Sequence, residues 1–160
     1  MDQINVRVET FGEAIVILVD RLLPRGFDVG DDAPQTYAQL KALLDSGKRL
    51  LVWSGGCKQT IYTHPNINVA FRAWHDHCHW MGGHDFSLEG EIAACNLQCR
   101  QLLEHHGDNP VTRCWCALIR AEVIGQALYY QRHKRFPEDQ RAFVAEYLID
   151  PEPALLWPLW

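Results

Sequence analysis

Basic residues are few and scattered. Lysine and arginine supply 15 of the 160 residues against 20 aspartates and glutamates, which gives a net charge of −5, and no run of cations forms a stripe. Broad binding to a nucleic-acid backbone, which needs clustered positive charge, is not expected. Long hydrophobic runs are also missing. The longest, Ala14–Val19, falls far short of the roughly 20 residues that cross a bilayer. Residues 1–30 carry Asp2 and Glu9 where a secretory leader would be basic, so no signal peptide and a cytoplasmic location are expected. The six cysteines, Cys57, Cys78, Cys95, Cys99, Cys114 and Cys116, never show the Cys-x2-Cys spacing of a structural zinc site. In a reducing compartment they read as small buried hydrophobes. There is no internal repeat, low-complexity stretch or composition break. A chain that is 48% hydrophobic and 22% charged therefore reads as one globular domain over 1–160, ending in a Pro/Trp-rich tail over 150–160.

The periodicity is mostly helical. Ile4, Val6 and Val8 alternate like a short strand. Thr10-x-x-Glu13 then has the form of a capping box ahead of Phe11, Ala14, Ile15, Leu18, Val19 and Leu22, and Pro24 and Gly26 end that helix. Pro34 suits the start of a second helix running to Ser46–Gly47. "LLVWSGGCKQTIYTH" alternates around Gly55–Gly56 and predicts a β-hairpin. From Asn66 the pattern stays helical. One helix reaches Met81 and breaks at Gly82–Gly83. A second is capped by Ser87 and ends near His106–Gly107. A third is capped by Asn109 with Pro110 first and runs to Lys134, and a fourth opens at Pro137. The fold class expected is mostly α (α+β): a helical bundle carrying the site, with a small N-terminal β-hairpin.

The functional signal lies in "FRAWHDHCHWMGGHDFSLEGE", Phe71–Glu91, which places four of the eight histidines within ten positions. His75 and His79 are four apart and share one helical face, so both imidazoles can reach one ion. Asp76 follows His75 directly, giving His-Asp-x-x-His, the layout of the His-Glu-x-x-His zinc motif with a shorter acid. His77 points away from that face and reads as a surface residue or a support behind the ligands, and His84, on a loop after the glycines, is a further ligand candidate. Two imidazoles need one or two further ligands, and the next two helices each offer one. Glu91 is followed on its own face by Ala94, Cys95 and Gln98. Glu122 stands among Leu118, Ile119 and Gln126. A carboxylate on such an apolar stripe is costly to bury unless it is paired or bound to metal. Arg72, Arg100, Arg113 and Arg120 are the cations that could pair it instead. His75, His79, Glu91 and Glu122 are thus the candidate metal ligands. Asp76 is the candidate general base, and Gln126, one turn beyond Glu122, the candidate group for orienting a carboxylate or substrate. Gly125 beside them costs a helix about 1 kcal/mol against alanine, so something should compensate.

These residues also carry a resemblance. Phe71-Arg72, His75-Asp76, His79, Gly90-Glu91, Ala94 and Glu122-x-x-Gly125-Gln126 resemble the ordered motifs of a group of largely uncharacterised proteins encoded by phages and other mobile elements. The group also occurs as a domain of large polyvalent proteins. The likeness spans about residues 60–145, with Ala121 where that pattern has threonine. It implies a site built from these residues, a host-cytoplasm location, and no particular substrate.

Four functions fit. The first is a metal-dependent hydrolase, with Zn²⁺ favoured and Fe or Mn accommodated, acting on a small molecule or peptide. The second is a non-haem iron oxidoreductase, since two histidines and a carboxylate also make a facial triad. The third is an HD-type phosphohydrolase, which would need a further upstream histidine such as His64. The last is a non-catalytic, metal-stabilised protein that docks on a host protein through Trp157 and Trp160. A coordination position left open would favour an enzyme, and a closed shell would favour the last reading.

Overall fold

A computed structural model of the protein describes residues 2–56, 58–62, 64–158 and 160, with residues 2–10 as backbone only. It is mostly α with a minor β element. Helix α1 spans Asp2–Leu22, strand β1 Phe27–Val29, α2 Tyr37–Asp45 and β2 Leu50–Val52. Helix α3 follows over Pro65–Gly82 and α4 over Leu88–His106, then α5 over Pro110–Arg120. A π-helical turn, Ala121–Gly125, leads without a break into α6, Gln126–His133, and α7 (Gln140–Ile149) and α8 (Pro151–Leu156) complete the chain.

Caps decide most of these boundaries. His64 Nδ1 accepts the Asn66 amide to start α3, and Gly83 ends it in the left-handed conformation. Ser87 Oγ caps α4 at the Gly90 amide, and Gly107 closes it. Asn109 caps α5 with Pro110 in the first turn. Three expected starts move. Thr10-x-x-Glu13 is no boundary, because α1 already runs from Asp2, and Ile4, Val6 and Val8 form no strand. An isolated alternation of three residues has no partner to pair with, whereas extending a formed helix gains one hydrogen bond per residue. Helix α2 begins after Pro34, where Thr36 and Gln39 make the capping box. Helix α7 begins after Pro137, with Asp139 accepting the Ala142 amide.

The β element is not a hairpin. Strands β1 and β2 pair in parallel, Phe27 opposite Leu50 and Val29 opposite Val52, and the crossover between them is α2. Residues 58–62 are irregular, and the Gly55–Gly56 stretch is held by Arg72, whose guanidinium donates to the Trp53 and Gly55 carbonyls at 2.9 and 2.5 Å.

Helix α3 is central and packs against α1, α2, α4 and β2. Its apolar sides serve two cores. Phe71, Trp74 and Cys78 join Phe11, Ile15, Leu102 and Trp115, while Val69 and Ala73 meet Leu40, Leu50 and Val52. Cys78, Cys95, Cys99 and Cys116 are buried free thiols within the larger core. Helix α8 packs on α6 and α7. Trp160 lies against the core and donates to the Ala154 carbonyl, whereas Trp157 is 58% exposed.

Candidate metal centre

His75 and His79 occupy one face of α3, one turn apart, with their rings perpendicular and centroids 4.5 Å apart. Glu91 comes from the first turn of α4, directly across. His75 Nε2 lies 3.0 Å from Glu91 Oε2 and 3.0 Å from His79 Nε2, and His79 Nε2 lies 3.4 Å from Glu91 Oε2. Two ligands ~2.1 Å from one ion stand about 3.0 Å apart at a right angle and about 3.4 Å apart at the tetrahedral angle. The three edges therefore match one face of a coordination shell. Among the described residues this is the group of His, Cys, Asp and Glu side chains with such a geometry, and it can hold a metal ion.

The outward nitrogens are already committed. His79 Nδ1 donates to the His84 carbonyl at 2.9 Å, and His75 Nδ1 donates to Gln98 Oε1 at 2.9 Å. Each bond fixes the tautomer that leaves Nε2 free to ligate, which is how a metal-binding imidazole is usually oriented. Phe71 stacks parallel to His75, and Phe86 sets its ring edge against His79 at 4.8 Å. Gln98 is two turns after Glu91 on the same stripe of α4, so one helix face supplies both a ligand and the brace for another.

Without an ion, the three acceptors share protons. Burial pulls the His75 imidazolium down, but the hydrogen bond and charge of Glu91, aided by Asp76 and Gln98, raise its pKa to about 9. Burial pushes Glu91 up, yet the hydrogen bonds and charges of His75 and His79 hold it at about 2. Asp76 lines the same cavity. Burial, reinforced by Glu91, lifts it to about 6 against the pull of His75, His79 and Arg72.

Glu122 is not drawn into the triad. It sits on the π-helical turn, lines the same cavity, and is 9% exposed with Oε2 unpartnered. Burial raises its pKa to about 7, opposed by the nearby Gln126 amide and the charge of Arg72. No described arginine forms an ion pair with Glu91 or Glu122; Arg113 pairs with Asp108 instead. Gly125 explains itself by packing: a Cβ there would press on the Tyr147 and Phe143 rings at 3.2–3.3 Å. Those rings supply the compensation that a glycine in a helix requires.

The remaining histidines stand elsewhere. His77 does project away from the triad, but it is buried, with Nδ1 unpartnered, instead of lying at the surface. His84 contributes its carbonyl to the site. His64 caps α3 and leaves no upstream histidine for an HD-type centre. His105 and His106 contact Arg21 and the Ala14 carbonyl. Three further residues belong to the site without a part in the sequence expectation: Gln98 as a brace, the His84 carbonyl, and Asn68, which lines the cavity. Gln98 had a visible signal, its place on the Glu91 face. The other two depend on how a loop and a helix end meet.

The triad opens on a cavity of about 850 Å³. Trp53, Tyr130 and Phe136 stand at its exposed margin, and Arg72 and Lys134 are its cations. No protein-family model, no curated protein and no solved structure matches the chain.

Proposed function

We propose that the protein is a metal-dependent hydrolase, with Zn²⁺ the preferred ion, held by His75, His79 and Glu91. One observation carries this reading: three ligand atoms form a single coordination face, and that face lies on a cavity. Structural zinc sites close their shell with four protein ligands, whereas catalytic ones keep three and leave a position for water. A bound Zn²⁺ would supply a water whose pKa falls to near ~7. Around it the chain's own groups have defined tasks. Gln98 and the His84 carbonyl hold the imidazoles. Asp76, beside the triad and lining the cavity, takes the proton of the attacking water and returns it to the leaving group. Glu122 and Gln126 face the substrate.

A second reading uses the same ligands. Two histidines and one carboxylate on one face are also the Fe(II) triad of non-haem oxygenases, and the 3.0 Å edges suit octahedral geometry. Elemental analysis of untagged protein, followed by hydrolysis assays with the identified metal, separates the two. Zinc with hydrolytic turnover that His75→Ala abolishes supports the hydrolase. Iron with oxygen consumption would replace it.

A further inference from the structure

Among the described residues, eight buried side chains keep a polar atom without a hydrogen-bond partner. Three of them, Asn68, Glu122 and Gln126, line the cavity of the metal centre. All three are at least nine-tenths buried, at 2, 9 and 7% exposed. Interiors leave few such groups unsatisfied, and three around one cavity mark a place where something else supplies the partners.

Their chemistry narrows what that partner is. Asn68 Nδ2 and Gln126 Nε2 are donors, and Glu122 Oε2 is an acceptor. Arg72, the cation that acts on Glu122, spends its guanidinium on the carbonyls of Trp53, Gly55 and Gly56. A ligand complementary to this wall offers a carbonyl to the two amides and an N–H to the carboxyl. A carboxylate or an ionised phosphate offers acceptors alone and leaves the Glu122 oxygen without a donor, an ester lacks the N–H, and an amine lacks the acceptor. An amide has both.

We propose that Asn68, Glu122 and Gln126 form a recognition wall for an amide group, so that the substrate is a carboxylic amide, open-chain or lactam, placed with its carbonyl carbon at the metal centre. This inference rests on the hydrolase reading. The reaction is a hydrolysis without redox change. The water oxygen bonds to the carbonyl carbon, and the C–N bond breaks with its electron pair on nitrogen. The proton taken by Asp76 passes to that nitrogen, leaving a carboxylic acid and an amine.

The test uses the full chain loaded with Zn²⁺ and two isosteric pairs: N-methylacetamide against methyl acetate, and 2-pyrrolidone against γ-butyrolactone. Binding is read by saturation-transfer NMR. At least one amide should bind about tenfold or more tightly than its ester, because a site with a buried acceptor rejects the analogue that lacks the N–H. The preferred pair then tells whether the amide comes from a chain or a ring. Glu122→Met, which removes the acceptor, should bring that ratio close to one while zinc content holds, whereas Asn68→Ala and Gln126→Met should weaken amide and ester alike, because both carry the carbonyl. Esters that bind as well as amides, amides that fail to bind at any concentration that leaves the protein folded, or a ratio untouched by Glu122→Met would overturn the wall. If the variants fail to fold, the wild-type ratio alone decides. Turnover is read separately from p-nitroaniline release by acetyl-p-nitroanilide, with His75→Ala as the control. Selective amide binding without turnover of any probe supports the wall and removes the hydrolase. Turnover of p-nitrophenyl acetate with no amide binding removes the wall and keeps the hydrolase.

Discussion

His79 has no exposed side-chain surface, yet both its nitrogens have assigned positions, one on the His84 carbonyl and one on the triad. That economy makes individual residues separable by experiment. His75→Ala should lose the metal, because two ligands remain where three are needed. Gln98→Ala should weaken metal affinity by about 10–100-fold, the usual cost of removing a ligand's brace. Asp76→Asn should keep the metal but slow turnover by about 10²–10⁴-fold, the scale of general base catalysis. Metal analysis beside an activity assay distinguishes all three, and an Asp76→Asn protein that arrives metal-free would make Asp76 a ligand. Gly90 is a fourth test. A Cβ there would fall on the Asp85 carbonyl oxygen, which is backbone and cannot turn aside. Gly90→Ala should displace the 84–86 loop, loosen His79, and lower metal affinity in a titration while α4 persists by circular dichroism. At this scale His75 and His79 were legible in the sequence, because helical spacing places i and i+4 side chains together whatever the rest of the fold does, whereas the apolar stripe that marked Glu91 marked Glu122 equally, and only the packing of the helices separates them. The His84 carbonyl was not legible, since backbone groups leave no trace in residue identity.

The elements that carry the triad end within about a residue of where local sequence signals place them. The caps Ser87 and Asn109, and the glycines that stop the helices, are local chemistry, whereas the His64 cap of α3 shows only in the structure. The β element departs from the expected hairpin for the opposite reason. Two three-residue strands that pair in parallel across α2 depend on contacts far apart in sequence, and alternation around Gly55–Gly56 mimics the commoner hairpin. The π-helical turn was also invisible. It appears as an uninterrupted helical pattern, but the extra residue it absorbs displaces Glu122 relative to a regular helix; such turns recur at functional sites. Its packing can be tested. Gly125→Val would force a branched side chain against Tyr147 and Phe143, at a cost of about 1–3 kcal/mol for overpacking a filled core. Urea unfolding should show a lowered midpoint with an unchanged slope. A midpoint equal to that of the wild type would mean α7 yields freely, and that Gly125 serves some purpose other than close packing.

At the scale of the whole molecule, metal and protons compete for one centre. In the metal-free protein the His75–Glu91 pair is itself stabilising, and its pH window follows from the two shifts. His75, raised from 6.5 to about 9, contributes fully below pH 6.5, and its contribution is lost as pH rises through about 9. Glu91, lowered from 4.5 to about 2, contributes fully above pH 4.5, and its contribution is lost as pH falls through about 2. Between roughly pH 4.5 and 6.5 the His75–Glu91 pair therefore contributes most. A metal must displace the His75 proton, so its apparent affinity should rise about tenfold per pH unit from neutrality towards pH 9 and then level off. Stabilisation by the ion grows with that affinity, by about 2.7 kcal/mol at a hundredfold excess over Kd. The gap in thermal midpoint between metal-loaded and chelator-treated protein should therefore be small near pH 6 and widest near pH 9. Titration calorimetry in two buffers of different ionisation enthalpy should count close to one proton released per ion at pH 7.5. A midpoint gap that stays constant over this range, in protein whose metal content is verified at each pH, would show that the ion does not bind through His75.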